Sequence, residues 1–190
     1  LPVVDKPLIQ YAVEEASRIG VEEFIFITHH AKSSIDKHFQ NNSSLYNMLL
    51  DQGKDDLANS IKNIGGPNAK FISVDQGEPK GLGHAIGCAE KYIAEDEFFV
   101  VILADDLIYC KERNVLEQMK EQAEKHGKQV LALEQIPAID ISKFGVVDPE
   151  SSEGSILHLK GIVEKPLAED APSNLAVVSR YLFNKSIFSH

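Results

Sequence analysis

Apolar positions along this chain recur with two different periods, and segments of the two kinds alternate. From position 8 to 19 the residues Leu8, Ile9, Ala12, Val13, Ala16 and Ile19 fall three and four apart, with Glu14, Glu15 and Arg18 opposite. That spacing predicts an amphipathic helix, and Gly20 suits its C-terminal stop. Residues 24–28, Phe-Ile-Phe-Ile-Thr, read as a short buried strand. Ser33 or Ser34 can cap a short helix carrying Ile35 and Phe39. A polar insert fills 41–69, where Leu45, Met48, Leu49, Leu57, Ile61 and Ile64 fit one amphipathic helix, or two broken near Gly53. Gly65-Gly66-Pro67 ends it. A strand at 70–75, a helix at 84–93 packing Ala85, Ile86, Ala89 and Ile93, a helix at 115–126 stopped by Gly127, and a strand at 129–134 continue the alternation.

Between the helices at 84–93 and 115–126 runs Phe98-Phe99-Val100-Val101-Ile102-Leu103-Ala104-Asp105-Asp106. An unbroken apolar run of this length, without alternation, predicts a strand covered on both faces of a parallel sheet. After Pro137 the pattern changes. Residues 144–147 and 156–163 read as an antiparallel section joined by a turn-rich stretch at 148–154, and Glu164-Lys165-Pro166 ends that hairpin. A polar loop reaching Ser173 and Asn174 leads to a last strand at 175–183. The expected fold is α/β, a mostly parallel central sheet flanked by helices with an added antiparallel section in the C-terminal part.

Composition narrows the class. With 190 residues, one domain with a real core is expected. A net charge of −10 argues against a surface that tracks nucleic acid or an anionic membrane. No apolar run approaches a membrane span, and Cys88 and Cys110 are too few for a disulfide framework, which points to a cytoplasmic protein. The adjacent His29 and His30 have no Cys, Glu or third His at ligand spacing, so a loop role outweighs a metal role there.

Two stretches carry candidate chemistry. In an open α/β sheet ligands bind beyond the carboxyl ends of the strands, and Asp105 and Asp106 would stand there, able to hold a metal ion; a turn or a helix start is the plainer role for the same residues. After the strand at 70–75 comes Gln76-Gly77-Glu78-Pro79-Lys80-Gly81-Leu82-Gly83-His84-Ala85. Glycines at 81 and 83 could let backbone lie close to a phosphate or a base, although such turns are common.

Taken together and in order, VVDKPLIQY, QGEPKGLGHA, LADDLI, FGVV, IVEKP and SNLAVVSRY resemble the bacterial sugar-1-phosphate nucleotidyltransferases over nearly the whole chain. The insert at 41–69 looks more like the uridylyltransferase members than the shorter thymidylyltransferases. The resemblance implies a Rossmann-like nucleotidyltransferase fold and a reaction of UTP with glucose 1-phosphate, giving UDP-glucose and pyrophosphate with Mg²⁺ as cofactor; dTTP, another hexose, or a non-catalytic sugar-nucleotide-binding role are the alternatives. By the same resemblance Asp105 is the metal-binding and catalytic aspartate, with Asp106 in support. Gln76 pairs with the uracil edge and Gly83 lies against the base. Glu164 accepts hydrogen bonds from glucose hydroxyls, Lys165 meets the sugar phosphate and takes part in catalysis, and Gly145 and Val177 line the glucose. Asn174 carries less weight, and Lys6 falls in a packing segment.

The family's glycine-rich nucleotide loop precedes the stretch matched by LPVVDKP, and its second metal-binding aspartate and its oligomer-forming helices follow the stretch matched here. The expectation is therefore a single, partial domain over 1–190, nearly inactive alone and homo-oligomeric in the full-length protein.

Overall fold

The structure, a computed structural model, describes residues 2–4, 6–28, 33–39, 43–62 and 64–189. Two short strands, β1 (Pro2–Val3) and β2 (Lys6–Pro7), pair antiparallel and lead into α1 (Leu8–Ser17). Pro7 precedes the first helical residue, where its missing N–H costs nothing. β3 (Glu23–Thr28) follows, then α2 (Ser33–Phe39), α3 (Ser43–Asp51), α4 (Asp55–Ile61) and β4 (Lys70–Asp75). The insert is thus two helices, and Gly53, at φ 66°, makes the break between them. His29, His30 and Asn41 lie outside the described residues.

The middle of the chain gives α5 (Leu82–Gly87), a 3₁₀ turn at Glu90–Tyr92, β5 (Phe98–Ile102), α6 (Val115–His126) and β6 (Val130–Gln135). α6 has the boundaries its periodicity predicts. Asn114 accepts from Leu116 N at 2.8 Å while Glu117 accepts from Asn114 N at 3.3 Å, a capping box, and Gly127 turns left-handed at φ 62°. The helix expected over 84–93 instead starts at Leu82 and ends at Gly87. A hairpin of β7 (Gly145–Glu153) and β8 (Ile156–Glu164), then β9 (Leu175–Asn184), complete the fold.

The sheets correct the expectation of a mostly parallel centre. Among the described residues only β3 and β4 pair parallel, as a two-stranded sheet. The other sheet runs β5-β9-β7-β8 with β6 also on β9, and every pairing in it is antiparallel. β5 itself runs antiparallel to its neighbour β9, and its residues 99–102 are half-buried. Among the described residues it pairs on one side only, and Phe98 is 39% exposed. Both β3 and β5 border a cavity of about 1030 Å³ that also touches α1, α5 and α6. The hairpin also runs further than predicted: β7 continues through the polar stretch Asp148–Glu153, with register shifts on either side of Pro149, which has no N–H to give to the ladder.

The core lies where α1 and α6 meet both sheets, through Val13, Ala16, Phe24, Leu116, Met119 and Leu182. Phe39 of α2 stacks on Phe26 and Phe71, which are themselves stacked across β3 and β4. A second cluster, Ile136, Ile141, Val146 and Ala176, seats the hairpin on β9. Leu116 is 0% exposed. Leu116→Ala should destabilise the protein by about 2–5 kcal/mol in denaturant unfolding, through lost burial and the hole left behind. Among the described residues, no helix is long and apolar enough to cross a membrane.

Candidate functional site

Asp105 stands just beyond the carboxyl end of β5, in a tight turn. Leu103 N donates to Ser179 O of β9 at 3.1 Å, and Asp106 N donates back to Leu103 O at 3.4 Å. These bonds fasten the backbone on either side of Asp105 and leave its side chain exposed. The Asp105 carboxylate makes no hydrogen bond or ion pair among the described residues. Asp106 is engaged through its carbonyl, which accepts from Arg180 Nη2 at 3.1 Å. Arg180, on β9 beside Ile102, is 0% exposed and grips Glu15 of α1 through Nε at 3.1 and 3.2 Å and Nη2 at 2.7 Å.

Gln76 follows β4, and its N–H donates to Thr28 O at 2.7 Å, extending the parallel pairing by one residue. Its side-chain nitrogen lies 3.2 Å from Gly81 O, to which it donates, and 3.1 Å from His84 Nδ1. The amide therefore braces the loop that enters α5. Gly81 precedes that helix at φ 94°, a conformation that excludes most side chains. Gly83 differs: a Cβ built there meets no atom within 4 Å. Neither packing nor backbone strain within the chain demands a glycine at 83, and the space above it is open.

The remaining candidates gather where β7, β8 and β9 meet. Gly145 and Glu164 are register partners, as are Val146 and Ala176, with Val177 next along β9. A Cβ on Gly145 would lie 2.9 Å from Glu164 Oε2 and 3.3 Å from Ile162 Cγ2, so the bare glycine is what gives the Glu164 carboxylate its place. Lys165 adopts a left-handed backbone at φ 46° while its N–H closes the hairpin end on Phe144 O at 3.0 Å. Lys165 Nζ sits 3.7 Å from Glu164 Oε1, with the side chains 60% and 73% exposed. An ion pair so open to water contributes little to stability, and both groups are accessible to a ligand. Ser173 pins the adjacent loop, donating to Val147 O at 2.6 Å and accepting from Leu175 N at 3.2 Å, whereas Asn174 contributes its carbonyl to Ile136 N. Lys6 is paired with Glu14 at 2.9 Å, in keeping with a packing role.

Burial, and after it the negative charge of Glu164, push the Tyr181 phenol up from its ordinary pKa. Glu164→Gln removes the second cause, so the Tyr181 step in an absorbance titration should move to lower pH; a Tyr181→Phe control assigns that step.

The structure thus forms two groups. Thr28, Leu82 and Asp105 border the same cavity, which places the end of β3, the start of α5 beside Gly83, and the acidic turn around one space. Gly145, Glu164, Lys165 and Val177 form the second group, and they do not line that cavity. Among the described residues, no three His, Cys, Asp or Glu side chains gather as a metal cluster. Arg180, Glu15 and Tyr181 escape a reading of the sequence. Arg180 and Glu15 are 165 positions apart, and the one available signal is a charged residue at a position where strand alternation buries its neighbours Val178 and Leu182.

The family model for nucleotidyl transferases matches residues 1–190. The chain is 40% identical over 190 residues to a UTP–glucose-1-phosphate uridylyltransferase of Bacillus subtilis (strain 168) and spans 64% of that relative's length. Its fold is similar to that of an apo UDP-glucose pyrophosphorylase, with a TM-score of 0.92 and 41% identity, over all of this chain and 69% of the other. A UDP-glucose pyrophosphorylase complexed with UDP-glucose also matches over the whole chain, with a TM-score of 0.86, 42% identity and 68% of the other chain covered.

Proposed function

Because the chain belongs to the nucleotidyl transferase family, we propose that the protein it forms part of makes UDP-glucose and pyrophosphate from UTP and glucose 1-phosphate. Similarity to proteins named for that activity supports the substrates. The observation that carries the reading is geometric. Asp105, exposed and without a hydrogen-bond or ion-pair partner among the described residues, stands beyond the carboxyl end of β5 and borders the same cavity as Leu82 at the opening of α5, whose next residue is a glycine that no packing among the described residues requires.

In this reaction an oxygen of the sugar phosphate attacks the α-phosphorus of UTP, and the bond from that phosphorus to the pyrophosphate oxygen breaks. Such a displacement depends mainly on alignment and on neutralising charge. Gln76 offers the uracil edge one donor and one acceptor, on a loop that its own contacts to Gly81 and His84 hold in place. Gly83 lets the base lie against backbone. Glu164 accepts hydrogen bonds from the glucose hydroxyls, Gly145 and Val177 line the ring, and Lys165 places its ammonium against the sugar phosphate as the nucleophile approaches.

Asp105 fits a divalent cation, for which Mg²⁺ is the natural choice. Mg²⁺ takes one or two carboxylates and fills its octahedron with water and substrate phosphates, so one exposed, uncommitted carboxylate suits it better than a closed cluster would. When bound, the ion neutralises charge on the phosphates; Asp105 supplies the protein's oxygen ligand from this chain. We place the protein in the cytoplasm, where two cysteines that form no disulfide with each other, Cys110 exposed, would stay reduced.

The test is turnover by the complete protein on UTP, dTTP, CTP, ATP and GTP, each with glucose 1-phosphate and with other hexose 1-phosphates. UDP-glucose should form fastest. Preference for dTTP or another hexose would move the protein to a related transferase, and binding of UDP-glucose without any turnover would end the enzymatic reading.

A further inference from the structure

The segment from Leu103 to Arg113, between β5 and α6, has no regular secondary structure and exposes Asp105, Leu107 and Tyr109 along its length. A loop of this kind does not hold a carboxylate in place by itself. Its two ends, however, converge on one residue of α1. At the first end, the Arg180 guanidinium grips the Glu15 carboxylate and also donates to Asp106 O at 3.1 Å. At the second end, Asn114 Nδ2 donates to the backbone carbonyl of the same Glu15 at 3.1 Å. Asn114 is also the cap of α6, through its Oδ1.

We infer that Arg180 and Glu15, with Asn114, are positioning residues that set where Asp105 meets the metal. The inference rests on the proposed role of Asp105 as metal ligand. Arg180 spends its donors on Glu15, on Asp106 O and on Ser179 O, at 3.1 Å for the last. Ser179 O receives Leu103 N as well. The backbone before Asp105 and the backbone after it are therefore both tied to residues 179 and 180. A fully buried guanidinium is a poor investment in stability alone, because desolvation offsets most of the attraction within the pair. What the pair supplies here is location: a planar fork satisfies a carboxylate and a carbonyl at once, which an ammonium cannot do with the same geometry.

The test uses the complete protein and two variants. Arg180→Lys keeps a positive charge facing Glu15 and loses the fork. Asn114→Asp keeps a good helix cap and loses the donor to Glu15 O, so it reports even if the first variant does not fold. Two quantities are read: the MgCl₂ concentration giving half the maximal rate, and hydrogen–deuterium exchange of the peptide covering 103–113. Each folded variant should need about ten times more MgCl₂, within the range that outer partners of metal ligands command. Exchange in 103–113 should speed up while β5 and the β7–β8 hairpin stay as in the wild type, and KM for glucose 1-phosphate should not move. Faster loop exchange with an unchanged MgCl₂ requirement would reduce these residues to structural anchors and overturn the inference. So would a uniform rise in exchange across the whole protein. Asp105→Asn, run alongside, separates the two levels: a wild-type MgCl₂ requirement in that variant sinks the metal reading itself, whatever the anchoring residues do.

Discussion

Asp105→Asn in the complete protein should lower the rate of UDP-glucose formation by about 100- to 1000-fold, the scale of losing one charge-stabilising group at a reacting centre. The substitution is nearly isosteric. Leu103 N and Asp106 N bond to backbone oxygens, so the turn has no need of the Asp105 carboxylate. The loss should therefore appear as a weakened dependence on MgCl₂ and a slower chemical step, with thermal stability preserved. Uridine recognition should survive, because Gln76 and Gly83 belong to the loop between β4 and α5. Asp106→Asn is the informative partner. Asp106 is used through its carbonyl, and that variant should stay within a fewfold of wild type. Single-turnover rates across a MgCl₂ series, with UTP binding followed by calorimetry, check both. A rate near wild type for Asp105→Asn, or equal losses for the two variants, would remove Asp105 from its assigned place.

Local elements were legible because their signals are local. The span of α6 from Val115 to His126 needs only its amphipathic spacing and the glycine at 127, and the structure adds the Asn114–Glu117 box at its start. Strand direction is a different matter. The run from Phe98 to Leu103 is as apolar as a parallel core strand, yet its partner β9 lies about eighty residues further on and runs the opposite way. Nothing in the run itself records which strand arrives beside it, or whether both of its edges are covered. The β7–β8 hairpin is where the sequence predicts it, but its extra length was missed for the reverse reason. Asp148 to Glu153 is polar enough to read as a turn, but this part of the hairpin faces water and its pairing is carried by backbone hydrogen bonds.

The candidate site divides along the same line. The pair Asp105 and Asp106 could be picked out from its place after a strand, with the choice of Asp105 resting on the resemblance, and Gly81 and Gly83 from their place before a helix. Glu164, Lys165, Gly145 and Val177 have no individual signal; resemblance alone pointed to them, and the fold then brought them together at one strand junction. The bond between Glu15 and Arg180 spans nearly the whole chain, and no spacing rule reaches that far. One distinction belongs to the structure alone: Gly81 has a left-handed backbone that demands glycine, whereas Gly83 has open space. Two glycines of equal weight in the sequence thus have unequal meanings.

Gly145→Ala should raise KM for glucose 1-phosphate by about tenfold, equivalent to about 1.4 kcal/mol of lost binding, with KM for UTP unchanged. The added Cβ would stand 2.9 Å from Glu164 Oε2, closer than real contacts allow. Because Oε2 is the far end of a flexible side chain, the carboxylate moves aside while the backbone stays. Gly145 lies in a strand without a left-handed φ, so alanine itself costs little there. Glu164→Ala should have the larger effect, about 10- to 100-fold on the same KM, since hydrogen bonds to a charged acceptor contribute about 1.5–3 kcal/mol. The two effects should overlap, because both act through one carboxylate: the double variant should be no worse than Glu164→Ala alone. Multiplying effects would mean that Gly145 contacts the sugar on its own account. A Gly145→Ala enzyme indistinguishable from wild type would mean that the place the glycine leaves for Glu164 is not the place from which the carboxylate binds glucose.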